Sequence, residues 1–92
     1  AGQIDSVFAY NDALAVYALK AMKQVGMELL PTVGFNNSSL AEMSTPELTS
    51  VDNRLEEMCR LAVENLVQMK NEKIKPKKII VLTGTIVHRE TF

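Results

Sequence analysis

The stretch that decides the fold is Thr32-Val33-Gly34-Phe35-Asn36-Asn37. A short apolar run gives way at once to two amides, which is typical of a buried parallel strand that ends in a polar loop. The same change occurs upstream, where an apolar run over residues 7–10 is followed by Asn11 and Asp12. Ligands of open α/β sheets lie outside the carboxyl ends of the strands, so two neighbouring strands that end this way predict one polar cleft.

Length and composition limit the chain to one small domain. It has 92 residues, of which 47% are hydrophobic, and a formal net charge of −1. A domain of about this size buries only ~60–65% of its unfolded surface, so there is room for one core and not for two. The balanced charges attract neither DNA nor an anionic membrane. No apolar stretch reaches the ~20 residues that a transmembrane helix needs, and no signal segment opens the chain, so we predict a soluble, cytoplasmic protein.

The pattern of the first half predicts a strand, a helix and a second strand. Residues 4–10 are mostly apolar, as expected for a short strand covered on both faces. Asn11 or Asp12 then caps a helix that runs to about Val25 and is closed by Gly26. This helix is apolar around most of its circumference, so we expect it to be covered on two sides.

The middle of the chain predicts a third strand and a second long helix. Residues 48–51 form the strand, and the helix begins at Asp52 or Asn53, with Asn53 and Glu56 spaced as a capping box. Apolar residues at steps of four and three give this helix its packing face, and they are Leu55, Cys59, Ala62, Leu66 and Met69. The cysteine is therefore expected to be a small buried hydrophobic residue.

The last part of the chain predicts two more strands after a basic connection. The connection covers residues 71–78, a fourth strand covers residues 79–82, and a half-exposed edge strand covers residues 85–89. His88 is expected at the surface of that edge, and with Cys59 as the single thiol no metal site is predicted. Right-handed crossovers through the two long helices give an α/β fold, a mostly parallel sheet with flanking helices.

Polar side chains at the strand ends favour ligand binding over catalysis. The sequence contains no phosphate-binding loop, no dinucleotide fingerprint and no nucleophile elbow. Amides do not titrate near neutral pH, so we predict no enzyme, no catalytic residue and no cofactor. Each Asn offers an acceptor oxygen and two N–H donors, which match the hydroxyl groups of a sugar or polyol.

Each candidate ligand residue also has a purely structural interpretation. One of Asn11 and Asp12 caps the first helix while neither touches ligand. Asn36 forms a turn with its own backbone, and Asn53 caps the second long helix. The recurrence of such residues after successive strands is what favours a binding site.

Four stretches of the chain resemble one known family. Residues 7–15 (VFAYNDALA), 33–37 (VGFNN) and 45–51 (TPELTSV), with the closing residues 87–91 (VHRET), are similar in order and spacing to the lactose and galactose repressors, the LacI/GalR family. The resemblance implies half of a periplasmic-binding-protein-like (type I) domain, with residues 1–92 a partial C-terminal subdomain of the effector-binding domain. It also implies that the DNA-binding domain and the N-terminal subdomain have no counterpart in this sequence.

The resemblance also assigns individual residues to the cleft. Asn11 falls where the family has a cleft amide, and Asn36 where it usually has an Asp that holds ligand hydroxyls. Asn53 and Leu55 fall where a polar and an apolar side chain reach the ligand, and Met58 lines the same wall one turn on. Charge-assisted hydrogen bonds are roughly twice as strong as neutral ones. The neutral Asn36 is therefore expected to change the affinity for the effector or the polarity of the effector.

The resemblance further implies a homodimer. The family pairs its subunits partly through the helix that begins near Asp12 and through the loop near Met43 and Ser44. Val16 and Tyr17 are then the candidates for the side of the helix that faces the partner, which accounts for its two-sided apolar character. The alternative is that Tyr17 covers a neighbouring loop of the same chain.

The leading hypothesis is a fragment of the effector-binding domain of a transcriptional repressor. The intact protein would sense a sugar or related polyol and bind operator DNA only through the missing N-terminal domain. The first alternative is a fragment of a periplasmic sugar-binding protein of a transporter. The others are a doubly wound enzyme, for which no titratable cluster is found, and an interaction piece that pairs with a second copy through its sheet edge.

Overall fold

The computed structural model describes residues 3–72 and 80–92, and within them strands alternate with helices. The elements in chain order are β1 (Val7–Phe8), α1 (Asp12–Gln24), β2 (Thr32–Phe35), α2 (Ser39–Met43), β3 (Thr49–Asp52), α3 (Leu55–Glu72) and β4 (Thr85–Val87). The predicted α/β fold is confirmed.

The strands form one four-stranded sheet in the order β1-β2-β3-β4. β1, β2 and β3 are parallel, with Val7 opposite Thr32 and Gly34 opposite Ser50. β4 runs antiparallel to β3 at the edge of the sheet. The mostly parallel sheet and the half-exposed edge strand are therefore as predicted, although β4 is shorter than expected.

Helix α1 follows the predicted bounds because local side chains fix both of its ends. Asn11 has extended backbone angles, and its Oδ1 accepts a hydrogen bond of 2.8 Å from the amide of Leu14. This satisfies one of the free N–H groups at the helix start. At the other end, the chain leaves the helix through Gly26, whose φ of 75° lies in the left-handed region that glycine tolerates.

The core lies between one face of the sheet and the two helices α1 and α2. Its buried members are Ala15, Leu19, Met22, Ala41 and Leu48. Leu14 and Tyr17, on the far side of α1, are at least half exposed. The expectation that α1 is covered on two sides stays a prediction: one side packs on β2 and α2, and the other, at Tyr17, is the side that the resemblance assigns to a partner subunit.

The C-terminal segment closes the amino end of the sheet. The Thr91 hydroxyl is buried, donates to the carbonyl of Thr32 at 2.7 Å and accepts from the amide of Thr49 at 2.8 Å. The amide of Thr32 in turn donates to the carbonyl of Thr91 at 3.0 Å. The last residues are therefore bonded to β2 and β3 at the end opposite to the one where those strands run into polar loops.

Helix α3 differs from the prediction in its burial. None of its residues is buried, and Cys59 is exposed rather than being a small core residue. The molecule is elongated, with a radius of gyration of 17.8 Å, against about 12 Å for a compact chain of this length. Among the described residues no sheet face covers the apolar stripe of α3. The periodicity therefore predicted the helix correctly, but the burial of its stripe was predicted wrongly.

Two local expectations around α3 are also wrong. The helix begins at Leu55 and not at Asp52 or Asn53, because Arg54 adopts a left-handed φ of 57° and its amide donates to Asp52 Oδ1 at 2.9 Å. The capping box of Asn53 and Glu56 is therefore not formed.

The predicted connection and fourth strand are only partly covered by the described residues. α3 extends to Glu72 and so includes the start of the predicted connection. Residues 80–82 are not part of the sheet, while residues 73–79 lie outside the described part of the chain. Across residues 3–72 and 80–92, no helix has the length and hydropathy needed to cross a membrane.

Gly34 in β2 is required by the close approach of α1 to the sheet. A Cβ built at this position would overlap the carboxylate of Asp12 and lie 2.8 Å from Cδ2 of Leu48. It would also lie 3.2 Å from the backbone Cα of Asp12, which cannot move away without shifting the helix. Strand and helix can therefore pack at this distance only with glycine at position 34.

We predict that Gly34→Ala destabilises the protein by about 1–3 kcal/mol, because overpacking a close-packed core forces neighbouring atoms apart. The free energy of unfolding from urea denaturation is the measurement. Gly26→Asn is the matched control, since nothing lies within 4 Å of its Cβ position and Asn tolerates the left-handed backbone. Equal stability of Gly34→Ala and the wild type would contradict the packing argument.

Candidate functional site

A cleft of about 720 Å³ lies at the carboxyl ends of β2 and β3. This is the position predicted from the change of apolar to amide residues at the strand ends. Its lining comes from the loop after β2 and from the start of α3, and it comprises Asn36, Asn37, Ser38, Ser39, Asp52, Arg54, Leu55, Glu56 and Glu57. The cleft therefore joins a wall of amides and hydroxyls to a wall that is mainly charged.

The loop after β2 turns sharply because two successive residues adopt left-handed backbone angles. Asn36 has a φ of 91° and Asn37 a φ of 48°. Asparagine tolerates this region better than most residues that carry a Cβ. The amide of Asn36 donates to the carbonyl of Val51 at 2.9 Å, and the amide of Asn37 donates to Ser50 Oγ at 3.0 Å. The two asparagines thus shape the backbone as well as supplying polar groups.

Asn36, which lines the cleft, is bonded to Asn53, which is not one of the lining residues. Nδ2 of Asn53 donates to Oδ1 of Asn36 at 3.0 Å. Oδ1 of Asn53 is buried and has no hydrogen-bond partner among the described residues. A buried acceptor left unpaired costs about 1–3 kcal/mol, so a hydroxyl that donates to it would be stabilised. The structure thus brings these two predicted site residues together, and their contact with a ligand stays a prediction.

Asn11 and Asp12, two further predicted ligand residues, have partners within the protein. Asn11 caps α1, which is the structural interpretation that its position also allowed. Asp12 is only 2% exposed, and its Oδ2 accepts from the amide and hydroxyl of Ser38 at 2.5 and 2.8 Å. Its Oδ1 accepts from Ser50 Oγ at 2.5 Å. Neither residue lines the cleft, because both side chains are turned toward the protein.

The two apolar candidates separate. Leu55 lines the cleft next to the charged residues at the start of α3. Met58 lies instead in a groove of about 240 Å³ that it shares with Leu61 and with Ile80 and Leu82 of the following segment. The structure therefore brings Leu55 to the amide pair and does not bring Met58 there.

The α3 wall of the cleft carries more negative than positive charge. The lining holds Glu56 and Glu57 of α3, Asp52 at the end of β3 and the guanidinium of Arg54, while Arg60 outside the lining is bonded to Glu57. A hydrogen bond from Arg60 lowers the pKa of the Glu57 carboxyl below its usual value, so Glu57 is ionised at neutral pH. Arg60 also binds Glu64 at 2.7 Å on the exposed surface of the helix. The charges at this wall therefore disfavour an anionic ligand.

Several site residues were not identified from the sequence. Asn37 and Ser38 directly follow Asn36. Their position next to a predicted site residue is the feature of the sequence that could have identified them. An aromatic surface also adjoins the site in a second cavity of about 350 Å³, lined by Phe8, Ala9, Tyr10, Phe35 and Asn36. The rings of Phe8 and Phe35 lie 6.4 Å apart between centroids. Apolar surface thus borders the amide pair on the β1 side.

Of the four residues predicted for subunit pairing, two share a groove between α1 and the end of α2, and the other two are exposed on the same two helices. Val16 and Ser44 line a groove of about 210 Å³ with Lys23. Tyr17 is 66% exposed and Met43 is 77% exposed. Lys23 Nζ donates to the carbonyl of Thr45 at 2.5 Å and bridges the two elements. Tyr17 does not cover a loop of the same chain, since most of its surface is free within the described residues.

Comparison with known proteins gives a consistent family. Residues 3–92 match the family described as periplasmic binding protein-like domain. The chain is 32% identical over 90 residues to an HTH-type transcriptional regulator of Lachnoclostridium phytofermentans, a match that covers 95% of this chain and 27% of that protein. The chain thus spans about a quarter of the length of this curated relative.

Solved structures of regulators have the same fold. The transcriptional regulator CelR in complex with cellobiose superimposes with a TM-score of 0.89 and 28% identity, over 97% of this chain and 28% of that one. A LacI family transcriptional regulator from Arthrobacter sp. FB24 in complex with lactose gives a TM-score of 0.82 and 28% identity, over 97% of this chain and 36% of that one. Both similarities extend over nearly all of this chain.

We predict that Asp12→Asn lowers the free energy of unfolding by about 2–4 kcal/mol, because an NH₂ group would face donors that now bond to a buried carboxylate. Urea denaturation measures the change. Asn11→Ala is the control at the neighbouring position and should cost only about 1 kcal/mol, the usual value for a lost helix cap. Unchanged stability with loss of ligand binding would instead identify Asp12 as a ligand contact.

Proposed function

Because the chain belongs to the family of periplasmic binding protein-like domains, we propose that it forms one wall of the effector-binding cleft of a sugar-responsive transcriptional regulator. The intact protein holds a sugar or related polyol between this wall and a second subdomain. Residues 1–92 are a part of the C-terminal subdomain, and DNA is bound by a domain outside this stretch.

The observation that carries the proposal is the amide pair of Asn36 and Asn53. Asn36 lines the cleft where β2 ends and is bonded to Asn53, whose buried Oδ1 has no hydrogen-bond partner among residues 3–72 and 80–92. Amides both donate and accept hydrogen bonds, as sugar hydroxyls do. Complexes of similar regulators with cellobiose and with lactose support the choice of a sugar. The net negative α3 wall favours a neutral sugar over a sugar phosphate.

The mechanism is a shift between two arrangements of the subdomains. A ligand that contacts both walls shifts the equilibrium toward the closed arrangement. The shift is set by how much more tightly the ligand binds the closed arrangement than the open one. Closure changes the relative position of the paired subunits and so of the DNA-binding domains that they carry. This function requires binding and no bond making, which agrees with a site whose central polar groups are amides.

Two further features follow from the same proposal. A regulator of transcription acts where the operator DNA is, so we assign the intact protein to the bacterial cytoplasm. Val16, Tyr17, Met43 and Ser44 form its dimer surface: Tyr17 and Met43 are exposed, and Val16 and Ser44 line one groove. A sugar-binding protein of a transporter is less well supported, since the relatives and solved structures compared above are regulators.

We expect Asn36→Ala and Asn53→Ala each to weaken sugar binding by the intact protein at least tenfold. Each change removes one hydrogen-bonding group, and a neutral group left unpaired costs about 1–3 kcal/mol. Isothermal titration calorimetry with cellobiose, lactose and their phosphorylated counterparts gives the affinities. Asn71→Ala, an exposed amide near the end of α3, is the matched control. Wild-type affinity in both site variants would refute the assignment.

We expect Tyr17→Glu to weaken the dimer of the intact protein at least tenfold. The change would bury a charge at the proposed interface, while the exposed position leaves the fold intact. Sedimentation equilibrium measures the dissociation constant. Gln68→Glu adds the same charge to an exposed position of α3, outside the proposed interface, and should leave the dimer unchanged. A stable Tyr17→Glu dimer would show that subunits pair through another surface.

A further inference from the structure

Arg89 is the side chain that holds the loop of residues 36–38 from the C-terminal side. Its Nη2 donates to Asn37 Oδ1 at 2.8 Å, and its Nη1 donates to the carbonyl of Leu48 at 2.8 Å. The side chain is only 11% exposed. A guanidinium with two fixed acceptors has one defined orientation, so Asn37 is bound to a rigid donor.

The backbone of the same segment fixes the position of Arg89. Its amide donates to Thr49 Oγ1 at 2.7 Å, on strand β3. The amide of Glu90 donates to the carbonyl of Glu47 at 3.0 Å, and Glu90 Oε1 accepts from the amide of Glu47 at 2.8 Å. The guanidinium is therefore held relative to β3, on which the rest of the cleft is also built.

The loop needs such a support because its conformation is intrinsically unfavourable. Asn36 and Asn37 are successive residues with positive φ, and such backbone states persist only when their surroundings over-determine them. Asp12 binds the loop from the α1 side through Ser38. Arg89 binds it from the opposite side through Asn37. Loss of either contact leaves the loop with fewer restraints than its conformation requires.

Other charges near the guanidinium do not explain its placement. Glu42 is the acidic group nearest to it among the described residues, at 3.9 Å, and its side chain is 75% exposed. An exposed pair at this distance contributes little, because water and salt screen it. The neutral Asn37 amide and the Leu48 carbonyl are therefore the partners that determine where Arg89 points.

We propose that Arg89 is a positioning residue for the effector cleft: by fixing Asn37, it fixes the direction in which Asn36 presents its amide. The inference rests on the proposed function for its link to ligand affinity. The proposal gives a role to the closing residues 87–91. They belong to the resemblance found in the sequence, but they do not line the cleft.

The first experiment measures loop order without any ligand. Hydrogen exchange by NMR is compared for the amides of Asn37 and Ser38 in the intact protein and in Arg89→Met. We expect exchange at these two amides to be at least tenfold faster in the variant. Thr91→Val is the matched control, because it removes two buried hydrogen bonds from the same segment and none from the loop. Unchanged exchange in Arg89→Met, or equal acceleration in both variants, would overturn the proposal.

The second experiment measures affinity, with cellobiose and lactose as probes in calorimetry. We expect Arg89→Met to weaken binding at least tenfold, and Thr91→Val to lower the melting temperature while affinity stays within twofold. In the double variant Arg89→Met/Asn36→Ala, the losses should be less than multiplicative, because the two residues act through one loop. Multiplicative losses would contradict action through Asn36. If neither sugar binds the wild type, the sugar assignment fails, and the exchange experiment still decides the role of Arg89.

Discussion

The buried carboxylate of Asp12 joins helix α1 to the loop after β2 and to strand β3, through hydrogen bonds from Ser38 and Ser50. A carboxylate is removed from water only when such donors replace its hydration. The missing side chain of Gly34 leaves the space that this approach needs. One buried carboxyl group therefore joins helix, sheet and the start of the loop that forms the cleft.

The cleft is formed in advance of any ligand by contacts that converge on two residues. Asn36 is bound by Asn53 and by the backbone of β3, and Asn37 is bound by Ser50 and Arg89. Groups that are already oriented lose less entropy when a ligand binds than mobile ones do. A network of hydrogen bonds to α1, β3 and the C-terminal segment thus maintains the unfavourable backbone angles of the loop. The same network makes the site rigid.

The exposed apolar surface of this chain agrees with the proposal that it is one part of a larger regulator. Helix α3 has an apolar stripe and no buried residue, and the chain spans about a quarter of the length of a regulator to which it is similar. Such a stripe indicates a surface that packs against another element, since amphipathic helices in globular proteins are stabilised mainly by burial of one face. The buried core lies around α1, α2 and the sheet, and the cleft is lined by the loop after β2, the end of β3 and the start of α3.

The sequence by itself determined the features that depend on neighbours along the chain. Periodicity and turn residues predicted the order of β1, α1, β2, β3, α3 and the edge strand β4, the ends of α1, and a polar cleft where the strands finish, but they also predicted a strand over residues 79–82, of which residues 80–82 are not in the sheet. Only the tertiary structure decided what each side chain meets. In the folded chain Asn53 bonds to Asn36 instead of capping a helix, and Asp12 is buried against two serines. Cys59 is exposed, and Arg89 bonds to the loop after β2. The new hydrogen bonds join residues 17 to 52 positions apart. The exposure of Cys59 depends on whether another element covers α3, and none does so among the described residues. A local sequence pattern carries no information about either.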